Sequence, residues 1–498
     1  MARDPYPWQP IKPLDAEFVG MRGRSPRLNA LAAQWETERA SLRRRGAETQ
    51  LLEEMKNRMA IETGILEGLY DISRGVTETL ITRGFETSLL PHGETNRDPR
   101  LVIETLKDQR AAVDYVFELV KADRPLSTSV IKELHVLLTR TQDTTTGVDQ
   151  LGKVREMPLL RGEWKQRPNN PTRPDGQVHQ YSPPEHVDAE MDQLIYWYRE
   201  YESQGTSPHI LAAWMHHRFT QIHPFQDGNG RLARLLATIV FLHADWHPLV
   251  VLRDDRSTYI DALEQADAGH LTPLAKLFAR WQSRAFVTAL GAVHATEERL
   301  AKDAALAPRL DDVLLSLRDR LAASTAPEHV ALDHLADRVM GIVHSELDYV
   351  RDRIDATLSS ALPKLSIRTG RSGENDQSYK GPRIAFAKQY GFFADFTRGS
   401  QWARLVLRTA PHNDNATLLV SSTAVGSGVG TIALTAGLIR TDPETRSTMS
   451  APTCEEPFLV TAEELADSTA WSELEARLRA WVQDSATLAI AQWQRDLG

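Results

Sequence analysis

At 498 residues the chain is longer than one hydrophobic core fills, since single cores stop growing near ~250–300 residues, so two or more domains are expected. With 41% hydrophobic and 25% charged residues and a mean hydropathy of -0.38, it has the make-up of a soluble globular protein, and no apolar run reaches the ~18 residues of a membrane span. A net charge of -9 argues against nucleic acid as the main partner, and Cys454, the single cysteine, rules out an intrachain disulfide and reads as an inert thiol.

The opening Met-Ala-Arg-Asp-Pro-Tyr-Pro-Trp lacks the apolar stretch of a signal peptide, so a cytoplasmic location is expected. Residues 1–26 carry prolines and scattered charge without periodicity and read as a tail draped over the body. Helical patterning runs from Leu28 to Leu42 and from Ala47 to Tyr70. The second stretch contains Thr63-Gly-Ile-Leu-Glu67-Gly68, whose two glycines cost a helix roughly 1 kcal/mol each and so need a reason. Read alone, the run is a helix C-terminus at Gly68 with Glu67 in solvent. A short helix ending at Gly84 follows, and then a longer one from Asp98-Pro99 to Lys121, opened by an N-cap carboxylate and a first-turn proline. In the next helix, Ser127 to Arg140, His135 lies among apolar residues and reads as a packing histidine.

Residues 141–186 are rich in Thr, Gly, Pro and Asn and too long for a simple connector, which marks a loop that carries function. Ser182-Pro-Pro-Glu-His-Val opens a helix running through Tyr198, and Pro208 opens the one that leads into His223-Pro-Phe-Gln-Asp-Gly-Asn-Gly-Arg-Leu-Ala-Arg234. Asp227-Gly-Asn-Gly230 cannot continue a helix, whereas Arg231-Leu-Ala-Arg-Leu-Leu-Ala starts one. The run is therefore a loop entering a helix N-terminus, where free N–H groups favour an anion and glycines allow a phosphate close to the main chain. Arg231 and Arg234, at i and i+3, can face the same polyphosphate. Asp227 is a hard oxygen ligand of the kind Mg²⁺ accepts, and His223 titrates near neutrality as a general base should. His209, His216, His217 and His223 suggest zinc, but no carboxylate or fourth ligand sits at helical metal spacing.

Further helices are expected to about Ala244, over Arg256-Ser-Thr-Tyr259-Ile-Asp-Ala-Leu, and from His270 to Ala289. From Val293 to Leu362 helical periodicity, broken near Thr325-Ala-Pro327, fits either a bundle that mediates self-association or ordinary core helices. Beyond it Lys380-Gly-Pro-Arg, Ile384-Ala-Phe-Ala, the run from Ala403 to Thr409, Ala416 to Val420, Thr431 to Leu434 and Phe458-Leu-Val read as short strands. Helices from Thr461 and from Trp471 to Leu497 close the chain. Val425-Gly-Ser-Gly-Val-Gly lacks the Lys and Ser/Thr of a phosphate loop and reads as a strand connector.

The run from His223 to Arg234 resembles the signature of the Fic family, His-x-Phe-x-(Asp/Glu)-Gly-Asn-Gly-(Lys/Arg)-x-x-Arg, at every specified position. The resemblance implies transfer of AMP from ATP to a protein Ser, Thr or Tyr hydroxyl. It implies His223 as base, Asp227 as Mg²⁺ ligand, and Gly228, Asn229 and Gly230 as the α-phosphate anion hole. Arg231 and Arg234 become the β- and γ-phosphate contacts, Phe225 an anchor, and Tyr259 a candidate for the adenine base. Thr63 to Gly68 resembles the family's inhibitory helix in its N-terminal subtype, which implies that Glu67 pairs with Arg234 and excludes the γ-phosphate. Thr63 would orient that helix, and Gly68 would let it pack closely. The residues from Trp164 to Arg167 and from Gln177 to Tyr181 resemble the flap, a β-hairpin that takes up the target segment by strand addition.

The implied fold is mainly α. A tail (1–26) and an N-terminal helical region (27–98) precede a Fic-type core with a β-hairpin flap (99–290), a helical segment (291–365) and a C-terminal α+β domain (366–498). Alternatives are another nucleotide donor, removal of AMP by a water that Glu67 orients, or a nucleotide-sensing regulatory protein.

Overall fold

The computed structural model describes every residue except 1–7, 17, 20–24, 45–46, 149–153, 173–177, 306–326, 359–364, 373–375, 377, 397, 410–413, 427–429, 442–447, 455, 467 and 498. The chain divides into two compact units, residues 1–24 with 49–283 and residues 25–48 with 284–498. Helix α1 (Pro26–Arg44) falls in the second. The first is built from α2 (Ala47–Leu66), α3 (Arg74–Arg83), α4 (Pro99–Lys121), α5 (Thr128–Leu138), a hairpin of β1 (Thr144–Val148) and β2 (Val154–Pro158), then α6 (Val187–Ser203), α7 (Pro208–Ile222), α8 (Asn229–His243), α9 (Arg256–Asp267) and the start of α10 (Thr272–Ala305).

Sequence chemistry accounts for the helix boundaries. The Asp98 carboxylate accepts the Arg100 N–H and Pro99 opens α4, while the Ser127 hydroxyl accepts the Val130 N–H at the start of α5. Along α4, Val102, Ile103, Leu106, Val113 and Val116 are buried at helical spacing and make one apolar stripe. Helices α7 and α8 are buried nearly all round, the pattern of central helices. Residues 8–16 pack onto this unit as a strap. Ile11 and Leu14 are buried, Trp8 Nε1 donates to Ser182 Oγ, the Ile11 N–H to Glu190 and the Leu14 N–H to the Tyr201 hydroxyl.

Helix α2 stops at Leu66, earlier than Tyr70, because Gly68 turns left-handed with φ +66°. The Leu69 N–H then returns to Gly64 O and the Gly68 N–H to Ile65 O, the paired bonds of a Schellman cap. A Cβ at Gly68 would meet nothing within 4 Å, so this glycine serves backbone conformation and not close packing. The close approach belongs to Gly64, where a Cβ would lie 2.2 Å from the Tyr70 hydroxyl. That hydroxyl is buried between Ala60 O, Ile61 O and Gln109 Nε2.

The hairpin pairs Thr144 with Pro158 through to Val148 with Val154, with its tip outside the described residues. It thus lies N-terminal to the 164–181 stretch expected to form it; among its described residues that stretch holds a single bridge, Thr172 to Val178. Three prolines, at 168, 171 and 174, remove ladder donors there, whereas the β-branched Thr144-Thr-Thr run supplies them.

In the second unit α11 (Pro327–Leu358), the short α13 (Ala462–Ala466) and α14 (Ser468–Leu497) pack on one antiparallel sheet. Its strands, β3 (Leu365–Arg371), β4 (Gln401–Thr409), β5 (Asp414–Ala424), β6 (Thr431–Thr441) and β7 (Thr448–Pro452), lie in sequence order, and β8 (Phe458–Thr461) pairs with β6 as well. Leu405, Leu418, Val420, Leu434 and Ala436 face Leu335, Val339, Leu478 and Val482 of α11 and α14. The opposite parity, Trp402, Leu419 and Ile439, takes Phe386. The Phe386 ring seats there because a Cβ at Gly437 would lie 2.1 Å from it. Phe386 sits on α12 (Lys380–Gln389), so the two strands expected between Lys380 and Ala387 are one helix. Its buried residues, Arg383, Phe386 and Ala387, follow helical spacing, whereas Ile384, half of the apparent alternation, is exposed. The face of α11 from Leu332 to Leu347 is core, the second of the two readings of this segment.

Gly64→Ala is expected to cost about 1–3 kcal/mol through overpacking against Tyr70, and Gly68→Ala about 1 kcal/mol through its positive φ alone. Denaturant unfolding of the two variants checks the order.

Candidate active site

Helix α7 ends by turning left-handed at His223, with φ 52° and ψ 58°, a conformation uncommon outside glycine. The turn aims the ring back along the helix, where Nδ1 lies 3.2 Å from Thr220 O. A carbonyl only accepts, so Nδ1 carries the proton and Nε2 keeps its lone pair, the state a general base requires. The ring stacks on Tyr181 with centroids 3.9 Å apart and planes 5° apart. Burial, and then the nearby Lys165 charge, push its pKa down to about 3 against the opposing pull of Thr220 O and Asp227.

The loop after His223 is pinned at several points. Asn229 Oδ1 accepts the Phe225 N–H at 2.9 Å and Asn229 Nδ2 donates to Phe225 O at 2.8 Å, so this side chain braces the loop and leaves the main chain of Asn229 to face an anion. Phe225 is fully buried and stacks on His135, centroids 3.8 Å apart. His135 Nδ1 accepts the Gly162 N–H, which leaves Nε2–H to donate to Asp227 O at 3.1 Å. It is a satisfied packing histidine, and burial pulls its pKa down to about 4.

Asp227 Oδ1 accepts the N–H of Gly228, a left-handed residue with φ 81°. Asp227 Oδ2 accepts from Gln142 Nε2 at 2.6 Å and from the Thr145 hydroxyl on β1 at 3.3 Å. Gln142 also accepts from Arg231 Nη2 at 2.9 Å, while Arg231 Nη1 donates to Leu138 O. Arg231 Nε is buried and, among the described residues, has no partner.

Arg234 faces the other way, toward α2, so the two arginines do not share partners. Its Nε donates to Thr63 Oγ1 at 2.7 Å and its Nη2 to Thr63 O at 3.2 Å and Glu67 Oε1 at 2.6 Å. Its side chain is 3% exposed and that of Glu67 is 30% exposed. Burial pulls the guanidinium pKa down, but Glu67 and Tyr259 outweigh it and the net shift is upward. The carboxylate also covers the start of α8, since a Cβ at Gly230 would lie 2.5 Å from Glu67 Oε1. Tyr259 is buried behind Arg234, edge-on to Trp281, with its hydroxyl 2.7 Å from His216 Nε2. At 6% exposure it has no open face for a base, and its place is in the packing behind the arginine.

A model of the Fic/DOC family matches residues 125–241, a span that holds α5, the hairpin, His223 and both arginines. Residues 125–241 form a Fic/DOC family domain.

The curated relatives of this Fic domain include a protein adenylyltransferase Fic of Nematostella vectensis, 34% identical over 101 residues, 20% of this chain and 24% of that protein. The protein adenylyltransferase fic-1 of Caenorhabditis elegans is 26% identical over 132 residues, 26% of each. The chain thus spans about a quarter of the length of these two relatives. A Fido domain-containing protein of Dictyostelium discoideum is 39% identical over 85 residues, 17% of this chain and 59% of that protein. Among solved structures, a Fic domain containing signaling protein from Bacteroides thetaiotaomicron is 25% identical with a TM-score of 0.43, covering 54% of this chain and 97% of that one.

Gln142, Thr145 and His216 reach this site of the Fic domain without any local signal, because their neighbours come from elsewhere in the chain. The four histidines considered for zinc have separate partners: Ser207 for His209, Tyr259 for His216, Asp267 for His217 and Thr220 for His223.

Buried histidines set a pH dependence, and two of them share one shift. His135 and His209 are both pulled to about 4 by burial, against about 6.5 in an unfolded chain. Between these values the unfolded state binds the protons and the folded state does not, so stability falls as pH drops from about 6.5 to 4, by up to ~1.4 kcal/mol per unit for each. His135→Phe should lower the slope of unfolding free energy against pH by about one proton; an unchanged slope in denaturant titrations across that range would contradict the assignment.

Proposed function

We propose that the protein is an adenylyltransferase that moves AMP from ATP to a Ser, Thr or Tyr hydroxyl of a target protein or of itself, and that Glu67 holds it inactive. One observation carries the reading: the Glu67 carboxylate bonds Arg234 and lies over Gly230, on the anion-binding end of α8, with His223 and Asp227 on the loop that enters that helix. A carboxylate in that place marks where the last phosphate of a nucleotide would sit. The names of the curated relatives support the same chemistry.

Asp227 fits a magnesium ion. It is a partly exposed carboxylate at an anion-binding turn, and among the described residues no group of three or more ligands surrounds it. Mg²⁺ commonly takes one or two carboxylates and completes its shell with phosphate oxygens and water. There it would neutralise charge on the phosphates. The chain's own groups do the rest. His223 Nε2 accepts the proton of the target hydroxyl as its oxygen attacks the α-phosphorus. The bond to the bridging oxygen breaks in line and pyrophosphate leaves. Main-chain N–H groups at Asn229 and Gly230, together with Arg231, stabilise the phosphate charge. Arg234 binds the γ-phosphate once Glu67 lets go. The β1–β2 hairpin offers an edge for the target segment.

Glu67→Gly should raise label transfer from α-labelled ATP to protein by about 100- to 1,000-fold, because the partly exposed pair it removes lies at the low end of the ~3–5 kcal/mol of a buried pair. His223→Ala in that background should abolish it. GTP, CTP and UTP in parallel assign the base, and no transfer by the Glu67→Gly protein from any of the four would overturn the proposal.

A further inference from the structure

Lys165 is buried, 4% exposed, and among the described residues no ion pair joins it to a carboxylate. Its Nζ donates to Ile222 O at 3.2 Å and Asn169 Oδ1 at 2.9 Å, and its main-chain N–H donates to Pro224 O at 2.8 Å. The carbonyls on the two sides of His223 are thus held by one residue. Asn169 Nδ2 extends the grip to Phe225 O at 2.7 Å. The ammonium also lies 5.7 Å from the centroid of the Tyr181 ring that stacks on His223.

A chain that needed only to pin three carbonyls could use amides throughout, as it does with Asn169. Burying an ammonium without a counter-charge is costly. Desolvation pulls Lys165 down to about 7, with Glu190 opposing from a distance. The charged and titratable groups around His223 are Lys165, Asp227, His179 and the stacked Tyr181, and of the charges Lys165 acts on it most strongly.

We propose that Lys165 is the positioning residue of His223: it fixes the left-handed turn through the carbonyls of residues 222 and 224 and sets a positive charge behind the ring. The imidazolium formed when Nε2 takes the hydroxyl proton is then short-lived, and the proton passes on to solvent. The role as stated for catalysis rests on the transfer reading above, whereas its physical content does not.

The test uses the full chain with Lys165→Gln, which keeps a donor and removes the charge, and Lys165→Arg, which keeps the charge. In the Glu67→Gly background Lys165→Gln should lower kcat about tenfold, leave KM for ATP within about twofold, and move the acid limb of the rate upward by about one pH unit. Lys165→Arg should leave that limb in place. Nitrogen NMR of the His223 ring in nucleotide-free protein should show the same upward shift for the Gln variant. Wild-type protein should show a second inflection in the His223 signals as Lys165 loses its proton, a reading that needs no variant to fold. If Glu67→Gly itself transfers nothing, the functional reading fails while the NMR comparison still decides Lys165. Unshifted His223 titration in Lys165→Gln, or no second inflection in the wild type, overturns the proposal.

Discussion

The site is organised by a cation that cannot be left alone. Arg234 is out of reach of water on α8, and a guanidinium there must find acceptors or forfeit several kcal/mol. Thr63 of α2 and Glu67 just past its end supply them, and Tyr259, whose hydroxyl leans on His216 of α7, closes the other side. A second pair one turn earlier, Glu62 with Arg253, fixes the register of α2, because the same carboxylate also accepts the Arg253 N–H. Helix α2 is therefore held by two arginines that need it, and replacing the Glu67 contact requires another anion of similar strength. A terminal phosphate is such an anion.

The loop from His223 to Gly228 depends on a different set of forces. Two left-handed residues, His223 and Gly228, bound it, and a conformation of that kind persists in a non-glycine residue when its surroundings over-determine it. Here the surroundings are hydrogen bonds to successive carbonyls. Lys165 takes those of 222 and 224, Asn169 and Asn229 share that of 225, and His135 takes that of 227. Stacked rings, Tyr181 on His223 and His135 on Phe225, hold the side chains between them. The result is an imidazole with its proton on Nδ1, the tautomer that the proposed role of general base requires.

How far the sequence could be read depended on how local the cause was. Capping at Asp98 and Ser127, the proline starts of α4 and α7, and the glycine stop of α2 arise from contacts within a few residues, and the helices lie close to where patterning puts them. The pair of Glu67 with Arg234 was readable by a different route, as a motif, and the structure supplies its distance. Misreadings occurred where two periods fit the same letters. Ile384-Ala-Phe-Ala alternates like a strand, but the segment forms α12 and seats Phe386 over Gly437 on the face of the sheet. In the long loop the hairpin formed on the threonines, ahead of the proline-rich 164–181 stretch, whose described residues hold one bridge.

By itself the sequence determined that 223–234 is a turn entering a helix N-terminus with His, Asp and two Arg on it, because these residues are contiguous and their geometry follows from local backbone preferences. Resemblance to a family motif led to the pairing of Glu67 with Arg234, and the structure places the two 2.6 Å apart. Tertiary structure alone decided which side chains support these groups. Gln142 and Thr145 on Asp227, Lys165 and Tyr181 around His223, and His216 behind Tyr259 meet their partners across long stretches of chain, and only packing brings them together. Tertiary structure also parted Arg231 from Arg234. Three residues apart on one helix, they are drawn to different neighbours, since each buried guanidinium goes to the nearest unsatisfied oxygens, Leu138 and Gln142 for one and Thr63 and Glu67 for the other.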